Sequence, residues 1–258
     1  MTEYGLVLSG GGAMGSYEIG VWKALRELGI KISGVAGTSV GALNGAMILQ
    51  DDFELAQELW ERITIDQIID VDTDLLKRGL LKWTKEDFAL FFSLFKDFIK
   101  EGGFDTTPLR QLIESNINEE KIRRSPMDFA INTYSLTDRK LIELYLHEIP
   151  RGELVPYLMA SACLVIFKRA EINSKRYIDG GYFDNVPINL LANRGYKNLI
   201  VVELMSLFKR QPPEVKDLNI IKIKSTQPLG GILEFDPKRA KKNIHLGYED
   251  TIRVFTRY

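Results

Sequence analysis

Hydrophobic and polar positions along this chain switch between two periods, and each switch marks an element. Tyr4–Leu8 is a short apolar run that ends in glycines, which suits a buried parallel strand. Ser16–Leu28 carries Ile19, Val21, Trp22, Leu25 and Leu28 at helical spacing and stops at Gly29, so it predicts a helix. Ile32–Ala36 reads as a second strand and Val40–Leu49 as the helix behind it. The chain thus opens strand–helix–strand–helix, the start of a parallel α/β sheet.

From Asp51 to Gly103 the period becomes helical. Phe53, Leu55, Leu59 and Trp60 mark one helix, and Phe88–Ile99 is a denser apolar stripe that ends before Gly102-Gly103. Thr106-Thr107-Pro108 is a cap followed by a first-turn proline, opening another helix. Met127–Thr133 and Lys140–Tyr145 predict two strands joined by the polar turn Ser135–Arg139. Pro156–Cys163 and Val186–Arg194 read as helices, the latter with Pro187 in its first turn. Asn198–Glu203 and Asn219–Ile223 are later strands, and Pro237–Thr256 is a closing helix. No repeat, low-complexity tract or linker divides the chain. The pattern predicts one three-layer α/β/α domain over residues 1–258, with a largely parallel central sheet and a helical insertion at about 52–105.

Composition narrows this picture in three places. A net charge of -1 gives no general attraction to nucleic acid. The single cysteine, Cys163, excludes an internal disulfide and any cysteine-rich metal site. Residues 32–50 carry no charge and approach membrane-spanning length, but four glycines and several polar residues interrupt them. They read instead as a buried strand and a buried helix. The start, Met1-Thr2-Glu3-Tyr4, is acidic and leads straight into the first strand, unlike a signal peptide. A cytoplasmic protein, peripheral to a membrane at most, is the expectation.

The chemistry concentrates at two glycine motifs. Gly37-Thr38-Ser39-Val40-Gly41 puts a serine on a sharp strand-to-helix turn where flanking side chains would clash. Gly10-Gly11-Gly12-Ala13-Met14-Gly15 offers backbone N–H groups that can approach a developing oxyanion. Together they predict a serine esterase. The same glycine run fits a dinucleotide fingerprint, but that fold wants an acid at the end of the second strand, and the next acid here is Asp51. No Gly-Lys-Ser/Thr follows, so a phosphate loop is excluded as well.

A serine hydroxyl needs a base. His147 and His245 are the only histidines, and neither stands in a loop that looks catalytic. Asp179 follows the strand-like Arg176-Tyr177-Ile178 and precedes Gly180-Gly181, so it can project at a strand end with tight backbone behind it; read alone, Asp-Gly-Gly is equally a plain turn, and the upstream glycine motifs tip it toward the base. Desolvation there would raise its proton affinity and make it a better base. No ligand cluster with metal spacing is present, so neither metal nor cofactor is expected.

These three blocks, with Ala160-Ser161-Ala162, Asp184-Asn185-Val186-Pro187 and Gly247-Tyr248, resemble the signature of the patatin-like phospholipase family across nearly the whole chain. The resemblance implies a Ser–Asp dyad that cleaves fatty-acyl esters without histidine, most naturally those of a phospholipid or lysophospholipid. It implies Ser39 as nucleophile, Asp179 as general base and the Gly10, Gly11 and Gly12 amides as oxyanion hole. Gly15, Gly37, Gly41, Gly180 and Gly181 are supporting motif positions. Two departures stand out. Met14 replaces the family's usual arginine or lysine, and Cys163–Phe167 lacks its usual proline. Two alternatives use the same residues: acyl transfer to an acceptor other than water, and a lipid-binding or regulatory protein with a vestigial site. Phe88–Ile99 reads as a core-packing helix or as an interfacial cap over the acyl pocket. Lys238, Arg239, Lys241 and Lys242 form a basic cluster that reads as a solvated face or as a contact for anionic headgroups.

Overall fold

The apolar run at the N-terminus becomes β1 (Glu3–Leu8), and the charge-free stretch becomes β2 (Lys31–Thr38) followed by a buried helix, in a computed structural model that describes residues 2–70, 102–205 and 211–256. The other strands are β3 (Asp128–Ser135), β4 (Lys140–Tyr145), β5 (Ala170–Ile172), β6 (Lys175–Asp179), β7 (Asn198–Val202) and β8 (Asn219–Ile223). Helices α1 (Ser16–Glu27), α2 (Val40–Leu49) and α3 (Phe53–Arg62) come early in the chain. They are followed by α4 (Thr107–Asn116), α5 (Glu119–Arg123), α6 (Leu154–Ser161), α7 (Ile188–Ala192) and α8 (Pro237–Thr256). Of the expected insertion, α3 and a short turn at Ile65–Gln67 are seen, while the Phe88–Ile99 stripe lies outside the described residues.

One sheet has the order β5-β6-β3-β2-β1-β7-β8, with β4 also paired to β3. Its centre is parallel as expected: β3, β2, β1, β7 and β8 run the same way. The other side is not, because β4, β5 and β6 pair antiparallel, and the sheet is therefore mixed. The polar turn after Ser135 is too short for a crossover, so β4 must fold back on β3.

The two edges of β3 are used differently. β4 occupies one edge from Ala130 to Ser135. The other edge is shared: β2 pairs with Asp128–Asn132, and β6 takes over at Thr133–Ser135. β2 is parallel and β6 antiparallel to β3, so the two strands run toward each other. Thr38 faces Asn132 and Asp179 faces Thr133. The ends of two separate strands therefore abut, one residue before Ser39 and at Asp179 itself.

Alternation along the strands sorts their side chains to two faces. Leu6, Leu8, Val35, Ile131, Ile200 and Val202 join the larger core with α1, α2 and α3. Val7, Ala36, Ala130, Leu199 and Val201 meet α7 on the opposite face in a smaller core. The result is the three-layer arrangement with unequal layers.

Helix α8 packs closely along α1 because both carry a glycine at the crossing. A Cβ on Gly20 would sit 1.9 Å from the Ile244 carbonyl oxygen, and one on Gly247 would sit 2.0 Å from that of Tyr17. Tyr17 secures the contact by donating to Asp250 at 2.9 Å. Backbone cannot yield as a side chain can, so Gly20→Ala is expected to destabilise the protein by about 2–3 kcal/mol through overpacking. Urea unfolding checks this: the midpoint should fall while the slope stays unchanged.

Candidate active site

Ser39 links the last residue of β2 to the first of α2, at φ 56 and ψ -125. A non-glycine residue held at positive φ stores about 1–3 kcal/mol of strain, so the surroundings must impose it. Ser161, at the end of α6, accepts the Ser39 amide on its Oγ at 2.9 Å. The Ser39 carbonyl accepts from Ala42 and Leu43 in the first turn of α2. Gly37 and Gly41 allow the tight passage: a Cβ on Gly37 would lie 2.3 Å from the Gly41 carbonyl oxygen, and one on Gly41 would lie 2.4 Å from that of Leu8.

Asp179 ends β6 and is only 3% exposed. Its amide donates to the Cys163 carbonyl at 2.7 Å, and its Oδ1 accepts from the Gly181 amide at 2.7 Å. The Ser39 side chain lies beside its carboxyl group. Burial pushes the Asp179 pKa up to about 7, and the nearby Ser39 hydroxyl and the Gly181 amide oppose that rise without cancelling it.

The glycine run bends over this pair. Gly10, Gly11, Gly12, Ser39, Asp179 and Gly181 line one recess of about 260 Å³. The Gly10 amide donates to the Asn185 carbonyl at 3.2 Å, and Asn185 Nδ2 donates back to the Gly10 carbonyl at 3.1 Å. Ala13 N–H donates to the Ile232 carbonyl at 2.8 Å, and Gly12 sits at φ +56 against the same carbonyl. Among the described residues, the Gly11 and Gly12 amides have no hydrogen-bond partner. Met14 is buried in the larger core, so the loop is steadied by Asn185 and Ile232 rather than by a cation.

The remaining sequence candidates have supporting places. Gly15 lets α1 begin against Val40, and Gly180 packs on Asn132. His147 stacks on Tyr145 at the surface, and His245 pairs with Glu249 at 3.2 Å on the exposed side of α8; neither reaches the recess. In the basic cluster, Arg239 pairs with Glu234 at 3.3 Å and Lys241 approaches Glu61 at 3.8 Å, so two of the four cations face carboxylates. Among the described residues, no group of three or more His, Cys, Asp or Glu is placed to hold a metal, and no helix is long and apolar enough to cross a membrane. Ser161 and Asn185 were visible beside the motifs, but nothing local marked which backbone groups they hold.

A cleft of about 880 Å³, including its open mouth, leads away from Ser39 between α2, α3 and α4. Leu164, Ile232, Gly12 and Ser39 border both the recess and this cleft. Its walls are almost wholly apolar. Asn44 is an exception, but its groups are committed elsewhere: it donates to the Gly15 carbonyl at 3.0 Å and to Glu18 at 2.8 Å, and accepts from Trp60 at 2.9 Å. Glu18 is itself buried, which pushes its pKa well up; nothing in the sequence singled it out.

Comparison with known proteins bears on the family and the fold. A family model described as patatin-like phospholipase matches residues 6–192. A patatin-like phospholipase domain-containing protein of Caenorhabditis elegans is 28% identical over 79% of this chain, and lysophospholipase NTE1 of Saccharomyces cerevisiae is 26% identical over 83%. The chain spans only 14% and 11% of those two relatives' lengths. The crystal structure of VipD from Legionella pneumophila superposes with a TM-score of 0.60 at 15% identity, covering 98% of this chain and 67% of that one.

The raised Asp179 pKa makes a stability prediction. Between the unfolded value near 4 and about 7, the native state binds a proton that the unfolded state has released, so stability falls as pH rises through that window. The full loss above it is on the order of 4 kcal/mol. Asp179→Asn removes the loss. Its melting temperature should exceed wild type clearly at about pH 8 and approach it near pH 4. Equal differences at both pH values would contradict a buried, ionisable Asp179.

Proposed function

The chain belongs to the patatin-like phospholipase family, and on that premise we propose that it hydrolyses fatty-acyl esters of phospholipids or lysophospholipids through Ser39 and Asp179. One observation carries the reading: a strained serine faces a buried carboxylate at the mouth of an apolar cleft. A carboxylate with an ordinary pKa near 4 is a weak base toward a hydroxyl, whereas one titrating at about 7 is matched to neutral pH.

Ser39 Oγ attacks the ester carbonyl while its proton passes to Asp179. The oxyanion that forms is taken by the Gly11 and Gly12 amides, since the Gly10 amide is engaged by Asn185. The N-terminal end of α2 adds its positive dipole beneath the same atom. Collapse breaks the ester bond, and the departing alcohol takes the proton from Asp179. Water then attacks the acyl-Ser39 ester while Asp179 accepts its proton; collapse breaks the acyl–Oγ bond, Asp179 returns the proton to Ser39 Oγ, and the fatty acid leaves. No third residue is needed to orient the base, because the Gly181 amide and the end of β6 already fix it. The lysophospholipase and phospholipase names of the relatives support lipid esters as substrates.

Turnover of a p-nitrophenyl acyl ester tests this. Ser39→Ala and Asp179→Asn should each lower kcat/KM by about a thousandfold or more. In the wild type, kcat/KM should rise with pH through a midpoint of about 7, because the base must be deprotonated. Full activity in Asp179→Asn, or a midpoint near 4, would overturn the dyad.

A further inference from the structure

The apolar cleft extends to the C-terminal end of α4, and one buried side chain is bonded to the backbone there. From Ser39 the cleft follows one face of α2, past Val40, Leu43 and Met47. Leu109, Leu112 and Ile113 of α4 form the facing wall, and the end of α4 crosses the far end with Asn116 and Ile117. These two residues also line a groove on the outer surface, so the end wall is one residue layer thick.

Gln50 ties this wall in place. It follows α2 directly and is 1% exposed. Its Nε2 donates to the Asn116 carbonyl at 2.9 Å and to Asp52 at 2.8 Å. Its Oε1 accepts from the Asn118 amide at 3.0 Å. The C-terminal ends of α2 and α4 are thus joined through one amide group. The Asn116 side chain donates back to the Leu112 carbonyl at 2.7 Å, so it is turned to its own helix.

Resting on the acyl-hydrolase reading above, we infer that this wall gauges acyl-chain length, with Met47 the last residue of α2 to line the cleft and Gln50 as the positioning residue that holds the wall. Met47 lies eight positions after Ser39, about 12 Å along the helix axis at about 1.5 Å per residue. An extended alkyl chain advances about 1.25 Å per carbon, so about ten carbons reach from the ester to the wall. Chains of about eight to twelve carbons fill the cleft, and longer ones must displace Asn116–Ile117.

Two readouts test this together. With p-nitrophenyl esters of graded length, wild-type kcat/KM should peak between about eight and twelve carbons and fall about tenfold by sixteen. Gln50→Ala should recover most of that loss for the long chain, and Met47→Phe should move the optimum to shorter chains. The second readout needs no turnover: fatty acids of the same lengths are titrated into Ser39→Ala, with Trp60 fluorescence in the cleft wall as signal. Affinity should rise to about ten carbons and then level or fall. Length-graded binding without esterase activity would sink the reaction and keep the gauge. Affinity that climbs steadily to sixteen carbons, or variant profiles parallel to wild type, would overturn the gauge even if esterase activity is present.

Discussion

β3 gives one edge to β4 and divides the other between two strands that approach head to head, and the rest of the site depends on that division. β2 stops at Thr38 beside Asn132; β6 stops at Asp179 beside Thr133. Hydrogen-bond register allows no slack here, because a one-residue slip would turn every side chain of β6 to the other face. Residues 140 positions apart in the chain are thereby set next to each other without a loop having to place them. The side chains around the junction brace it: Thr38 and Asn132 both donate to the Asp184 carbonyl, at 3.1 and 2.8 Å. Thr133 Oγ1 lies within hydrogen-bond distance of the carbonyls of Ala160 and Ile178, which share its one proton, and this ties β3 to α6 and β6.

The same junction concentrates unfavourable terms. Ser39 is strained, Asp179 is a buried carboxyl group, and among the described residues the Gly11 and Gly12 amides, in the lining of the recess, have no hydrogen-bond partner. Each is costly in isolation. Each is also what ester hydrolysis requires: a nucleophile held at the recess, a base titrating near neutrality, and donors with capacity for a new anion. The large core on the α1, α2 and α3 side of the sheet and the close α1–α8 contact supply the stability that lets this region stay unfavourable.

Much of this could be read from the residues. Pro237–Thr256 was legible as a helix to its boundaries, because a long amphipathic face leaves little ambiguity. The glycine motifs located the elbow and the oxyanion loop, because only glycine fits where Gly37 and Gly41 pass other backbone. The antiparallel placement of β5 and β6 was not legible. β5 has three residues and β6 five, too few to show a period, and strand direction has no local signature. Helix α5, also five residues, was missed for the same reason. The commitment of the Gly10 amide to Asn185 is a contact across 175 positions, which no local pattern encodes. The length of the cleft arises from three helices and two loops meeting in space, so no single segment carries it.

The central claim is that the buried Asp179 carboxylate sets the reactivity of Ser39. It is tested most directly by the rate at which a fluorophosphonate modifies Ser39, followed by intact mass as a function of pH. That rate should rise through a midpoint of about 7 in the wild type and lose this dependence, with a large drop, in Asp179→Asn. A rate that is flat with pH, or that survives Asp179→Asn, would show that the serine is activated by something other than the carboxylate beside it.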